Sequence, residues 1–127
     1  MGYEIIYYKD NKLESPVGEF IEELISQAET NKESKQLLRK IRHSYKLLER
    51  FGTRIGLPHV RHIEDEIWEL RPKGQRILFF TWKDNKIVLL SHFKKKKDKI
   101  SRREIDKAKR RMNDWVKYGE KRQRNFE

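Results

Sequence analysis

The 127-residue sequence contains no cysteine. That excludes disulfides, thiolate metal sites and a cysteine nucleophile, and it suits a reducing compartment such as the cytoplasm. Long apolar runs are missing too: the longest cluster, Ile77 to Trp82, has six residues, against the roughly 18 that span a bilayer, so no membrane segment is expected. Met1-Gly2-Tyr3-Glu4 offers neither a charged n-region nor an apolar h-region, so no export signal is expected. Proline and glycine are scarce, three and six residues, and there are no repeats and no internal linker. No Walker loop, dinucleotide glycine fingerprint, H-E-x-x-H or G-x-S-x-G occurs, which leaves cofactor-nucleotide and common hydrolase readings without support.

What is present is charge. Lys and Arg number 31 against 20 Asp and Glu, and the surplus is uneven. Residues 1–90 carry 16 basic and 14 acidic side chains, while residues 91–127 carry 15 and 6. A near-neutral scaffold with one basic segment is the pattern of a dedicated surface for an anionic ligand. Apolar residues are only 35% of the chain, yet aromatics reach 11%, enough for a small core.

Residues 3–8, aromatic and β-branched, read as a first strand. Ser15-Pro16 then opens a helix whose Val17, Phe20, Ile21, Leu24, Ile25 and Ala28 share one face. A second helix over 33–51 carries Leu37, Leu38, Ile41, Tyr45, Leu48 and Phe51 and stops at Gly52. The period then changes from 3.6 to 2. Val60–Ile63, Ile67–Arg71, Gln75–Trp82 and Lys86–Phe93 are four strands whose short connections demand an antiparallel meander. Ile87-Val88-Leu89-Leu90 is apolar at every position, which places the last strand centrally. Ser101-Arg102-Arg103-Glu104 is a capping box, and a third helix over 102–117 follows.

The order β-α-α-β-β-β-β-α predicts an α+β fold: an antiparallel sheet with two helices on one face, a C-terminal helix, and an opposite face partly open for a ligand. Residues 1–118 form one domain on this reading, and 119–127 a flexible basic tail.

The densest chemical signal runs from Lys94, Lys95, Lys96, Lys97 and Lys99 to Arg102, Arg103, Lys107, Lys109, Arg110 and Arg111, 11 basic residues against 3 acidic between 94 and 111. Each such cation that reaches a phosphate releases counterions, so nucleic acid is the natural partner. A solvated charge run is the plain alternative, but this one leaves an interior strand and enters a capped helix. Arg71 and Arg76 flank the turn Pro72-Lys73-Gly74, where two guanidiniums can clamp a phosphate and stabilise charge building on it. The alternative is that Arg71 pairs with Glu69 two residues away on the same strand face. Strict alternation puts Val88, Leu90, His92 and Lys94 on one side of the last strand, making His92 a candidate acid or base beside the basic cluster. His59 and His62, three apart in a strand, point to opposite faces and do not form a joint metal site. Trp68, Trp82, Phe79 and Phe80 read as core rather than as stacking platforms for bases.

Taken together, Gly56-Leu57-Pro58-His59-Val60-Arg61-His62-Ile63, Ile67-Trp68-Glu69-Leu70-Arg71, Gln75-Arg76-Ile77-Leu78-Phe79-Phe80 and Ile87 through Phe93-Lys94-Lys95 resemble the HigB-type toxins of the RelE/ParE superfamily. The likeness covers about residues 3–117. It implies a type II toxin paired with a small HigA-like helix-turn-helix antitoxin, meeting operator DNA only through that antitoxin. It further implies a ribosome-dependent mRNA endonuclease that needs no metal or other cofactor and uses attack by the RNA 2′-hydroxyl. Arg71, Arg76 and Lys95 match the family's basic site residues, with Lys94 beside them; Lys96, Lys97, Lys99, Arg102 and Arg103 would hold RNA. Ile100 and Ser101 stand where a tyrosine of the last helix would be expected. Two other readings stay open: a ParE-like, non-catalytic inhibitor of DNA gyrase, and a non-catalytic nucleic-acid-binding module.

Overall fold

The computed structural model describes residues 2–126. Met1 and Glu127, the outer ends of the expected domain and tail, lie outside the described residues. The elements are β1 (Glu4–Tyr7), α1 (Pro16–Ala28), α2 (Lys32–Phe51), a 3-10 turn (Gly52–Ile55), β2 (Val60–Glu64), β3 (Ile67–Leu70), β4 (Gln75–Trp82), β5 (Lys86–Lys94), α3 (Arg102–Asp114), a π-helical turn (Trp115–Gly119) and α4 (Glu120–Phe126).

Side-chain caps start the helices where the sequence provides them. Ser15 Oγ accepts from the Gly18 amide at 3.1 Å, Asn31 Oδ1 from Ser34 at 3.0 Å, and Ser101 Oγ from Glu104 at 3.3 Å, each satisfying a backbone donor that the first turn leaves unpaired. Helix α2 ends at Gly52, φ +62°, where an added Cβ would sit 2.7 Å from the Tyr3 ring. Only glycine meets both the backbone angle and the close approach.

The sheet has the order β1-β5-β4-β3-β2. Its last four strands form the expected antiparallel meander, but β1 lies parallel to β5, with Glu4 opposite Lys86 and Tyr7 opposite Leu89. The sheet is therefore mixed rather than wholly antiparallel. The 13-residue and 20-residue helices between β1 and β2 give the chain the reach to leave β1 and enter the sheet at its far edge, so β1 is left to complete the near edge. β5 is interior, paired on both sides, but the middle place belongs to β4.

Both faces are covered. Val17 and Leu48 of α1 and α2 pack on Leu70, Ile77, Phe79, Ile87 and Leu89. On the other side, Ala108 of α3 and Trp115 pack on Ile6, Tyr8, Ile67, Leu78, Phe80, Val88 and Leu90. Phe79 and Phe80 are both buried, one on each face, and each contributes roughly 1.5–3 kcal/mol of burial. Of the face expected to be partly open, Ala108, Met112 and Trp115 cover the part formed by Ile6, Tyr8, Ile67, Leu78, Phe80, Val88 and Leu90, while the end that carries Arg61 and Arg71 keeps access to solvent.

One register shift matters for the site. Leu78 stands opposite Ser91 and Phe79 opposite Leu89, so Leu90 is an extra residue in β5. Such a bulge reverses the alternation beyond it. Val88 and Leu90 face α3, but His92, opposite Ile77, faces α1, while Phe93 joins the α3 side.

The helical path also continues where an aperiodic tail is expected after Gly119. Trp82 Nε1 donates to Glu120 Oε1 at 2.7 Å, and Arg122 pairs with Asp114, so the segment has tertiary partners that a local reading does not reveal. Among the described residues, no helix is long and apolar enough to cross a membrane.

Candidate nucleic-acid interface and active site

On the α3 side of the sheet, neighbouring strands gather three guanidiniums around one carboxylate. Glu69 of β3 is only 1% exposed. Its Oε1 accepts from Arg71 Nη1 at 3.0 Å and lies 3.4 Å from Arg61 Nη2, while its Oε2 lies 3.7 Å from Arg76 Nε. Cross-strand pairing explains the convergence: Arg61 is the direct partner of Glu69 on β2, Arg71 is its i+2 neighbour, and Arg76 enters from β4. Three positive charges against one negative leave a surplus on this face.

Arg76 is the most enclosed of the three, with its side chain 9% exposed. Its Nη1 donates to the Gln75 carbonyl at 2.7 Å. Burial pushes its pKa down, Glu69 pulls it back up, and Arg71 and Arg61 oppose its charge; a guanidinium nevertheless stays protonated. Backbone bonds hold the strand ends that carry these residues. Arg71 N donates to His59 O, Gln75 N to Pro72 O, and Lys95 N to Gly74 O, at 2.9, 2.8 and 2.9 Å. The ladders therefore run one residue past their formal ends, and the backbone at Lys95 lies against the turn that separates Arg71 from Arg76.

Beside this cluster opens a cavity of about 500 Å³ between the end of β5 and the first turns of α3. Phe93 and Ile100 contribute its apolar wall, and Lys94, Lys96, Lys97, Lys99, Arg103 and Lys107 its cations. Phe93 is the direct cross-strand partner of Arg76, so the cavity begins next to the arginine cluster. Ile100, at the position where a tyrosine would be expected, is part of the wall.

Not every expected residue joins this surface. Arg102 is occupied elsewhere: Nη1 and Nη2 donate to the two oxygens of Glu64 at 2.8 and 2.6 Å, and Nε to Asp106 at 3.0 Å. His92 lies flat against Phe20 of α1, ring centroids 4.2 Å apart and 14° from parallel. Burial first, then Arg111, hold its pKa below the usual 6.5. Because of the bulge it is on the sheet face opposite to Glu69 and the arginines. Lys107, part of the basic run, joins the surface with Nζ 3.1 Å from Glu104, and Arg61 joins it although the sequence does not single it out for the site. Arg61 was detectable only from its pairing with Glu69, which needs the strand register. Among the described residues, no three His, Cys, Asp or Glu side chains cluster in a way that would hold a metal ion.

The sequence model of the phage-derived protein Gp49-like family (DUF891) matches residues 28–113, more than half of the chain, from the end of α1 to the last turn of α3. The chain belongs to this family. Gp49-like proteins are RelE/HigB-like toxins of toxin–antitoxin systems, and the family implies an antitoxin as partner. No curated protein matches the sequence significantly. The matched span contains all four arginine-cluster residues and the whole cationic cavity.

Proposed function

We propose that this Gp49-like chain is the toxin of a type II pair and an endoribonuclease that cuts mRNA on the ribosome, the RNA 2′-hydroxyl attacking the adjacent phosphate. The observation that carries this reading is the nine-tenths-buried Arg76 in a surplus-positive cluster, next to a cationic cavity. Attack by the 2′-hydroxyl builds negative charge on a five-coordinate phosphorus, and fixed guanidiniums in a partly dehydrated site stabilise that charge far better than mobile surface cations.

Roles divide by burial. Arg76 and Arg71 stabilise the reacting phosphate, and Lys95 meets the chain from the end of β5. Lys94, Lys96, Lys97, Lys99 and Arg103 hold flanking phosphates. On this reading His92 packs the end of β5 onto α1 rather than carrying a proton, and Arg102 holds α3 in place. The antitoxin is a small HigA-like helix-turn-helix protein that neutralises the basic face and supplies the contact with operator DNA.

Programmed ribosomes incubated with antitoxin-free protein, followed by mapping of 5′ ends, test the reading. The expected result is discrete cuts in the mRNA that fall at least about 100-fold in rate with Arg76→Ala, the order lost when one preorganised donor to a transition-state oxyanion is removed. Intact mRNA overturns the nuclease reading. Blocked supercoiling with intact mRNA would identify a gyrase inhibitor. Weak, sequence-uniform loss of RNA binding in Arg76→Ala, without any cut in wild type, would identify a binding module.

A further inference from the structure

We infer that Glu69 is a positioning residue, a buried carboxylate that holds the guanidiniums of Arg71 and Arg76 in the orientation a phosphate needs. This rests on the nuclease reading above and assigns a role to a residue that the resemblance to toxins leaves without one.

The geometry separates this role from that of a proton carrier. Glu69 is 1% exposed, and both of its oxygens already face guanidinium nitrogens, Oε1 those of Arg71 and Arg61, Oε2 that of Arg76. A 2′-hydroxyl would have to displace an arginine to reach either oxygen. A group in that setting acts on the substrate through its neighbours.

Its effect on those neighbours follows from the donor inventory. A guanidinium has five N–H groups fixed in one plane, so engaging one edge aims the other. Arg71 Nη1 donates to Glu69 Oε1 at 3.0 Å and Arg76 Nη1 to the Gln75 carbonyl at 2.7 Å, while Arg76 Nε faces Glu69 Oε2 at 3.7 Å as an ion pair beyond hydrogen-bond distance. Among the described residues, Nε and Nη2 of both Arg76 and Arg71 make no hydrogen bond. Without the carboxylate, Arg61, Arg71 and Arg76 would repel one another in a poorly solvated place, and the two less buried side chains would swing toward water. Arg61, with its side chain 40% exposed and Nη2 3.4 Å from Glu69 Oε1, is the outer member of the cluster.

Two readouts on Glu69→Gln test the inference: steady-state cleavage on programmed ribosomes, and the arginine side-chain Nε–H signals in proton–nitrogen NMR of the free protein. The expected kinetic result is a kcat about tenfold or more lower with KM changed less than about threefold, because exposed lysines, not Glu69, dominate docking. In an Arg76→Ala background the same substitution should cost little more, since the two act as a unit. Loss that adds fully to that of Arg76→Ala, or that appears in KM alone, overturns the inference.

The NMR readout stands apart from cleavage. The Arg76 Nε–H signal should be resolved and slowly exchanging in wild type and should broaden or shift to the free-arginine position in Glu69→Gln. An unchanged signal overturns the inference even if the enzyme is active. If wild type cuts nothing, the nuclease reading fails, and the NMR result still decides whether Glu69 positions the arginines. Should Glu69→Gln not fold, Glu69→Asp keeps the charge and withdraws the oxygens by one methylene. A kcat loss of about threefold or more is then expected, and an unaltered kcat overturns the role.

Discussion

Arg102, the first residue of α3, forks onto both carboxylate oxygens of Glu64 at the end of β2, 2.8 and 2.6 Å away and 38 residues back in the chain. Two helical turns later, Lys109 reaches Glu64 as well and Asp65 at 2.8 Å. The pair clamps one side of α3 to the β2–β3 turn, where Asp65 adopts φ +50°. This helix covers part of the sheet face that carries Glu69 and the arginines, so the clamp fixes one wall of the candidate site.

The clamp is sensitive to acid. Hydrogen bonds from Arg102 and then Lys109 pull the Glu64 pKa from 4.5 to about 2. A carboxyl whose folded pKa is depressed contributes stability that is fully present above its unfolded value and is lost as pH falls through the folded one. Glu64→Gln should therefore lower Tm at pH 7, and the gap between wild type and variant should close as pH drops from 4.5 toward about 2. High salt should narrow it at any pH, since Arg102 is exposed and Glu64 and Lys109 are only half-buried. A gap independent of pH, followed by circular dichroism melting, would refute the clamp.

The same contacts divide the basic residues into two kinds. Lys96, Lys97 and Lys99 line the cavity and are exposed, whereas Arg102 is spent on Glu64 and Asp106. Alanine at any of the three lysines should weaken binding of a non-cleavable single-stranded RNA and reduce the slope of log K against log salt by roughly 0.7. Arg102→Ala should leave that slope unchanged. Fluorescence anisotropy at four salt concentrations reads both, and an equal slope change for Arg102→Ala would place its side chain on the RNA instead.

Legibility in the sequence tracked how local each cause is. The Ser15 and Ser101 caps, the Gly52 stop and the change of period at Val60 are local, and the elements they mark stand where they were expected. The parallel β1–β5 pair is not local: nothing in Tyr3–Tyr8 says which edge it joins. The bulge at Leu90 is invisible in an all-apolar run, and it alone moves His92 from the expected face to the other. Arg71 and Arg76 could be found because they flank a short turn, and the Glu69–Arg71 pair because the two residues are two apart on one strand. Arg61 completes the cluster through strand register, which a sequence pattern does not contain.

His92 offers a test of that face reversal. Its ring stacks on Phe20, and burial first, then Arg111, disfavour its charged form; Glu104 opposes them, and Lys107 and Glu23 act more weakly in opposite directions. A histidine depressed in the folded state destabilises the fold as pH falls from 6.5 through its folded value, because the unfolded chain takes the proton first. Phe20→Ala should raise the NMR titration midpoint of His92 toward 6.5. His92→Phe should keep cleavage within about threefold of wild type, whereas loss of a proton carrier would cost about 100-fold or more.

Gly119 tests the C-terminal helix. An added Cβ there would lie 2.2 Å from the Trp115 ring, and Trp115 is itself buried in the core on the α3 side, beside Ala108. The π-helical turn from Trp115 to Gly119 brings the glycine over that ring and directs α4 toward Trp82, Lys83 and the Lys9 carbonyl just past β1. Gly119→Ala must either push the indole out of a packed core or move α4 away from it, at about 1–3 kcal/mol, a fall of several degrees in Tm. If α4 moves, the Trp82–Glu120 bond of 2.7 Å and the Arg122–Asp114 pair break together. Tyr8, whose hydroxyl donates to Asp114 at 2.7 Å and whose pKa burial and Asp114 raise to about 12, is a native reporter of that event. Because Arg122 is the neighbour that holds the Tyr8 pKa down, its departure from Asp114 should shift the ultraviolet titration of Tyr8 upward in the variant. An unchanged Tm and an unchanged Tyr8 titration would mean that the residues beyond Gly119 are an independent tail after all.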